Sequence, residues 1–321
     1  MNLIICGSPL QVLIAERIID LHPNEDFYGI VYCYQLPPKL AYYYERLSRK
    51  CVKSRIIYGD QGHSKLGIYR EILKLIVLGA TLPKIKSVFI ANIDIIDVCI
   101  FLHKASRGNI YTFDDGSINL CPDAFMGMVR KKIGGFQRIL SCIFKIPTAE
   151  DLFRRSLTHY TLYDLPNVYS NTIKVELFHR EKEVKGGNRD AIPREVRTLM
   201  LGQPIYEYGD EGEKLNIQIT ESVINSYQIE CYIPHPREKY RVSNVEYINT
   251  NLISEDYLLE NLERDPGLHY VIYTFCSTTA LNLLGHHRIK FVAVKPKLIP
   301  SHLEEVYVIL ANAGIQIENQ K

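Results

Sequence analysis

The chain has 321 residues, more than one hydrophobic core ordinarily serves, so two domains are expected. Apolar residues make up 46% and charged residues 23%, a balance that excludes extended disorder. The 38 basic and 36 acidic residues leave a formal charge of +2, without the basic excess that marks a nucleic-acid binder.

From the first residue, short apolar runs alternate with helical patterns. Residues 3–6 read as a strand ending at Gly7-Ser8-Pro9, and Leu10, Leu13, Ile14, Ile18 and Leu21 then recur at helical spacing. Strands follow at 27–34, 56–58, 88–91 and 110–113, with helices at 40–50, 66–78 and 95–104. Such alternation predicts an α/β fold with a parallel sheet covered on both faces. The most apolar stretch, from Ile85 to Leu102, is interrupted by Lys86, Asn92, Asp94 and Asp97 and is not a membrane span. The N-terminus lacks the basic and apolar regions of a signal peptide. A cytoplasmic protein is expected, with peripheral contact at the inner face of the membrane left open.

Residues 128–155 mix basic and apolar side chains, among them Arg130, Lys131, Lys132, Phe136, Ile143, Phe144 and Lys145. One or two amphipathic helices are expected there. Their face is either solvated, packed between subunits, or attracted to anionic lipid. The polar run 180–195 reads as a linker, giving domains at 1–180 and 196–321. Alternation resumes in the second domain. Strands are expected at 198–201, 229–233, 270–275 and 290–294, with helices at 211–225, 255–262, 279–284 and 302–313. Two such halves are expected to bind a ligand in a cleft at the carboxyl ends of their strands.

The eight cysteines are scattered, with no C-x-x-C pair and no zinc spacing, and read as buried thiols in a reducing compartment. Asp94 and Asp97 share one helix face and are not read as a metal site. No metal and no cofactor are expected.

Four places carry candidate chemistry. Ser8 and Gln11 follow the first strand where helix amides favour anions and hydroxyl-rich ligands, although a plain strand-to-helix turn fits equally. Asp114 and Asp115 are adjacent carboxylates before Gly116; mutual repulsion would raise the pKa of one, as suits a general base, and Asp-Asp-Gly-Ser is also an ordinary turn. In Pro234-His235-Pro236-Arg237 the prolines hold His235 extended, and Arg237 falls on the same side if extension continues; the pair could stabilise a departing phosphate. Ser277, Thr278 and Thr279 end an apolar strand as a helix begins. They form either a phosphate seat or a simple N-cap.

Taken together these places resemble glycosyltransferase family 52, the bacterial lipooligosaccharide sialyltransferases. The matching runs are Leu10-Gln11 with Ala15-Glu16-Arg17-Ile18, Leu82-Pro83-Lys84, Thr112-Phe113-Asp114-Asp115-Gly116, Pro234-His235-Pro236-Arg237, Glu255-Asp256-Tyr257, Tyr273-Thr274-Phe275 with Ser277, and Lys295-Pro296. The resemblance implies a GT-B-like fold, a CMP-sialic acid donor and inverting, metal-independent transfer to a galactose-type hydroxyl, with α2,3 linkage the usual outcome. It also implies a homodimer. By the same resemblance His235 is the acid towards the leaving phosphate, Ser277 binds phosphate, and Glu255 holds the ribose hydroxyls. Arg237, Pro236, Thr278 and Thr279 complete the nucleotide site, and Ser8, Gln11, Gln203 and Glu207 line the donor and acceptor side.

One departure bears on the base. Relatives resembling this chain carry an aspartate after a Gly-Ser-Pro turn, whereas here Gly202-Gln203-Pro204 is followed by Ile205. Asp115 is expected to fill that role, by resemblance to a related family of bacterial sialyltransferases that uses the second aspartate of its Asp-Asp-Gly in this way. Glu207 and Asp210 are held in reserve. Two other functions remain open from the sequence: hexosyl transfer from a UDP-sugar, and a catalytically inactive protein that binds a nucleotide-sugar or glycan.

Overall fold

The computed structural model describes residues 1–60, 65–130, 141–178, 195–206, 209–300 and 303–320. The chain divides into two compact units, Met1–Leu177 and Phe178–Lys321.

In the first unit the elements run β1 (Asn2–Cys6), α1 (Pro9–Leu21), β2 (Phe27–Cys33), α2 (Pro38–Lys50), β3 (Lys53–Tyr58), α3 (Lys65–Ala80), β4 (Ser87–Ile90), α4 (Ile96–Phe101), β5 (Asn109–Phe113), α5 (Pro122–Val129), α6 (Ala149–Arg155), β6 (Ser156–Thr161) and β7 (Thr172–Lys174). The strands form one sheet in the order β3-β2-β1-β4-β5-β6-β7, every pairing parallel. All five residues of β1 are buried, as a central parallel strand covered on both faces requires. Leu3 and Ile5 share a core face with Ile30 of β2 and Val88 and Ile90 of β4, closed by Ile72 and Leu75 of α3 and Phe101 of α4. Each such side chain contributes roughly 1.5–3 kcal/mol by leaving water.

The second unit repeats the scheme with β8 (Glu195–Leu201), α7 (Gly209–Tyr227), β9 (Cys231–Ile233), β10 (Glu246–Tyr247), α8 (Ser254–Arg264), β11 (Leu268–Thr274), α9 (Thr279–Asn282), β12 (Ile289–Lys295), α10 (Glu304–Asn312) and β13 (Gln316–Asn319). Its sheet order is β10-β9-β8-β11-β12-β13, again parallel throughout. Both sheets are therefore doubly wound. The order reverses at β1/β4 in one and at β8/β11 in the other, the points where open α/β sheets place ligands.

The structure departs from the sequence reading at the sheet margins. Strands β6, β7, β10 and β13 lie beyond what the apolar pattern predicts; three of them are at sheet edges and are polar or only two to four residues long. The 128–155 stretch is helical at its ends, in α5 and α6 and at 141–144, while residues 131–140 lie outside the described residues. Most of the expected linker is likewise outside them, and Glu195 already belongs to β8.

Candidate active site

At the first switch point the turn after β1 leads into α1. Ser8 is its N-cap, with Oγ accepting the Gln11 N–H at 3.3 Å, and Pro9 opens the helix. This places the buried Gln11 side chain over the strand ends. Its Oε1 accepts the Gly7 N–H at 2.5 Å, and its Nε2 donates to Asn92 Oδ1 at 2.7 Å and to Asp115 Oδ1 at 2.6 Å. Asn92, just past β4, donates from Nδ2 to the other carboxylate oxygen of Asp115. Asp115 is thus held by two neutral amides, leaving lone pairs for a substrate hydroxyl. Burial pushes its carboxyl above the usual aspartate range. Hydrogen bonds from Gln11 and Asn92 offset part of that rise, and the neighbouring charges of Asp94 and Asp114 add a smaller push. Burial therefore outweighs the Asp114 repulsion on which the sequence argument relies. Gly116 follows with φ +66°, the left-handed backbone that glycine adopts without strain.

Asp114 sits in a different environment. Its carboxylate is fully buried and accepts from His159 Nε2 at 2.8 Å, Asn119 Nδ2 at 3.1 Å, the Thr161 hydroxyl at 2.9 Å and the Leu162 N–H at 2.7 Å. His159 is stacked on Tyr169 and its Nδ1 meets the Thr112 hydroxyl at 2.9 Å. Every lone pair of Asp114 that the fold can reach is occupied. This geometry ties β5 to β6 and aims the next residue, Asp115, out of the sheet.

At the second switch point β8 ends in Gly202-Gln203-Pro204. Gln203 Oε1 accepts the Cys276 N–H at 3.1 Å, bridging the turns after β8 and β11. His235 follows β9. Extension does not continue beyond it: Glu238 N–H donates to His235 O at 2.9 Å, closing a turn over Pro236 and Arg237. Arg237 therefore reaches His235 through its backbone, its N–H donating to His235 Nδ1 at 3.1 Å. With Nδ1 accepting, the neutral ring carries its proton on Nε2, as a donor to an anion requires.

The Ser277 hydrogen bonds are local. Its N–H donates to Thr274 Oγ1 at 3.1 Å, and its Oγ accepts the Thr279 N–H at 3.3 Å and lies 3.2 Å from Thr279 Oγ1. Thr278 is the N-cap of α9 and makes no side-chain capping bond. Glu255, in the first turn of α8, is buried and accepts from Asn282 Nδ2 at 2.8 Å. Burial raises its pKa, with bonds from Asn282, its own backbone and Thr279 offsetting part of the rise.

Ile205 is buried, its N–H donating to Asn216 Oδ1 at 2.9 Å. Glu207 lies outside the described residues, and Asp210 falls in the first turn of α7. Sequence reasoning misses Asn92 and Glu238. A polar residue at the end of a predicted switch-point strand is the available sign for Asn92, and a carboxylate three residues after His235, at turn-closing distance, is the sign for Glu238. Among the described residues no three His, Cys, Asp or Glu side chains converge as a metal-binding group.

Two doubly wound parallel sheets, each gathering polar groups at its switch point, define the GT-B class of glycosyltransferases. Solved structures with this fold include the spinosyn forosaminyltransferase SpnP, with a TM-score of 0.54 and 10% identity over 100% of this chain and 86% of that one. A second is UGT89C1 of Arabidopsis thaliana complexed with UDP-L-rhamnose, with a TM-score of 0.53 and 10% identity over 100% and 85%. Likeness at this identity shows the fold alone. The sequence profile of glycosyltransferase family 52 matches residues 24–298, and the chain belongs to that family. The chain is 32% identical to a CMP-N-acetylneuraminate:beta-galactoside alpha-2,3-sialyltransferase of Pasteurella multocida, covering 99% of this chain and 98% of the relative. It is 31% identical to an N-acetyllactosaminide alpha-2,3-sialyltransferase of Haemophilus influenzae, covering 93% of each.

Proposed function

We propose that this glycosyltransferase moves sialic acid from CMP-sialic acid to a terminal galactose-type hydroxyl of a bacterial surface glycan, in α2,3 linkage and with inversion. The observation that carries the reading is the Asp115 carboxylate, raised in pKa by burial and held by Gln11 and Asn92 at the first switch point, in a chain of this family. The acceptor hydroxyl gives its proton to Asp115 as its oxygen bonds to the anomeric carbon. The bond from that carbon to the phosphate oxygen breaks, and its electron pair leaves with CMP. His235 donates from Nε2 to the departing phosphate, and Ser277, Thr278, Thr279 and Arg237 stabilise the charge, with Pro236 shaping the turn. Glu255 holds the ribose hydroxyls, while Ser8, Gln11 and Gln203 line the donor and acceptor side. Asp114 serves as the buried anchor of Asp115.

Transfer without metal is part of the proposal, as is a homodimer, which the resemblance to dimeric family members supports. Peripheral contact with the cytoplasmic face of the membrane is supported by Ile143 and Phe144, both exposed next to Lys145. The test is release of CMP from CMP-sialic acid, with and without a lactose-type acceptor, in excess EDTA. Acceptor-stimulated, EDTA-resistant release is expected. No release, together with no CMP binding by calorimetry, would overturn the donor assignment.

A further inference from the structure

The turn that carries His235 is built around a carboxylate that the reaction does not consume. Glu238 Oε1 accepts the His235 backbone N–H at 3.1 Å, and Oε2 accepts the Tyr232 hydroxyl of β9 at 2.9 Å. The Glu238 N–H returns to His235 O at 2.9 Å, so side chain and backbone clamp the same residue from both directions. Within this loop the Arg237 N–H is delivered to His235 Nδ1. The neighbouring turn is shaped around the same group. A Cβ on Gly202 would collide with Glu238 Oε1 and the Tyr232 hydroxyl, so a larger residue at 202 would have to displace the Glu238 carboxylate from its present place.

We propose that Glu238 is a positioning residue for His235: its carboxylate anchors the His235–Glu238 turn so that the Arg237 N–H fills Nδ1 and the ring proton stays on Nε2. The proposal rests on the reading that His235 acts on the leaving phosphate. A carboxylate suits this position because an anionic acceptor holds an N–H more strongly than a neutral one. Its second oxygen meanwhile satisfies a Tyr232 hydroxyl that would otherwise be buried without a partner. Burial also raises the Glu238 pKa, which bonds from His235 and Tyr232 partly offset.

The test uses the full chain labelled with ¹⁵N-histidine, His235 being assigned among the ten histidines by His235→Gln. Long-range ¹H–¹⁵N spectra of the wild type should show His235 protonated on Nε2. Glu238→Ala should give a mixture of tautomers and lower kcat by about 10- to 100-fold, the scale of a misplaced catalytic group, with KM for CMP-sialic acid near wild type. Glu238→Gln keeps an oxygen for the His235 N–H and should retain both the tautomer and most of kcat. If Glu238→Ala does not fold, Glu238→Asp, one methylene too short to reach, should show the same loss. A folded Ala or Asp variant with the wild-type tautomer and kcat overturns the proposal. Failure of the wild type to release CMP would sink the sialyltransferase reading instead. The tautomer spectra decide the role of Glu238 in either case.

Discussion

Gln11 Nε2 reaches Asp115 Oδ1 at 2.6 Å, joining two residues 104 positions apart in sequence. Through that bond the first turn of α1 offsets part of the pKa rise that burial gives a carboxylate just past the end of β5. The arrangement gives the two members of the Asp-Asp pair separate roles. Asp115 is held by two amides and stays partly exposed, and Asp114 is fully buried among protein donors.

Replacing each aspartate should therefore have different consequences. Asp115→Asn should keep the fold and lower kcat by roughly 10²–10⁴-fold, as loss of a general base does. Asp114→Ala strips the partner from His159 and three further donors and should cost about 3–5 kcal/mol of stability. Circular dichroism melts beside acceptor-dependent turnover check both. A well-folded, inactive Asp114→Ala protein would reverse the assignment.

The pH profile should report Asp115. A base acts when deprotonated, so kcat/KM should fall on the acid side at a pH above the ordinary aspartate value of about 4. The Asn92 bond lowers the Asp115 pKa, so Asn92→Ala should move the acid limb to higher pH. Movement towards lower pH would contradict the geometry.

Glu255 offers a linkage test. Burial raises its folded-state pKa, so its contribution to stability is present below the unfolded value of about 4 and is lost as pH rises through the raised value. Glu255→Gln removes the charge and keeps an oxygen for Asn282. It should melt above wild type at neutral pH, with the advantage shrinking as the pH is lowered. The same variant should bind CMP more weakly by calorimetry if Glu255 holds the ribose.

Gly116→Ala places a side chain at φ +66° and should cost about 1–2 kcal/mol, readable as a lower midpoint in urea. Because the strain falls next to Asp115, turnover should drop further than stability alone explains.

Much of this is legible in the residues. Apolar runs and helical spacing locate the central strands, because buried parallel strands must be continuously apolar. Strands β7, β10 and β13 escape because edge strands need no such run: Gln316-Ile317-Glu318-Asn319 is polar and pairs on one side only. At the site, Asp115 and His235 stand out as chemical groups in turns. Their supports do not, since Asn92 lies 23 positions from Asp115 and meets it only through sheet order. The direction of Arg237 is hidden from the sequence because a backbone turn, rather than proline alone, sets it.

Every strand pairing among the described residues is parallel, so neither sheet shows a hairpin there. No two-strand nucleus can form from neighbouring residues in these pairings; each waits for a crossover to close, and chains of this kind fold slowly. Synthesis from the N-terminus softens that handicap, because the first sheet can be completed while the second is still being translated. The turn that carries Asp115, with its Gln11 and Asn92 partners, can then be in place on the ribosome before the residues around His235 have been added to the chain.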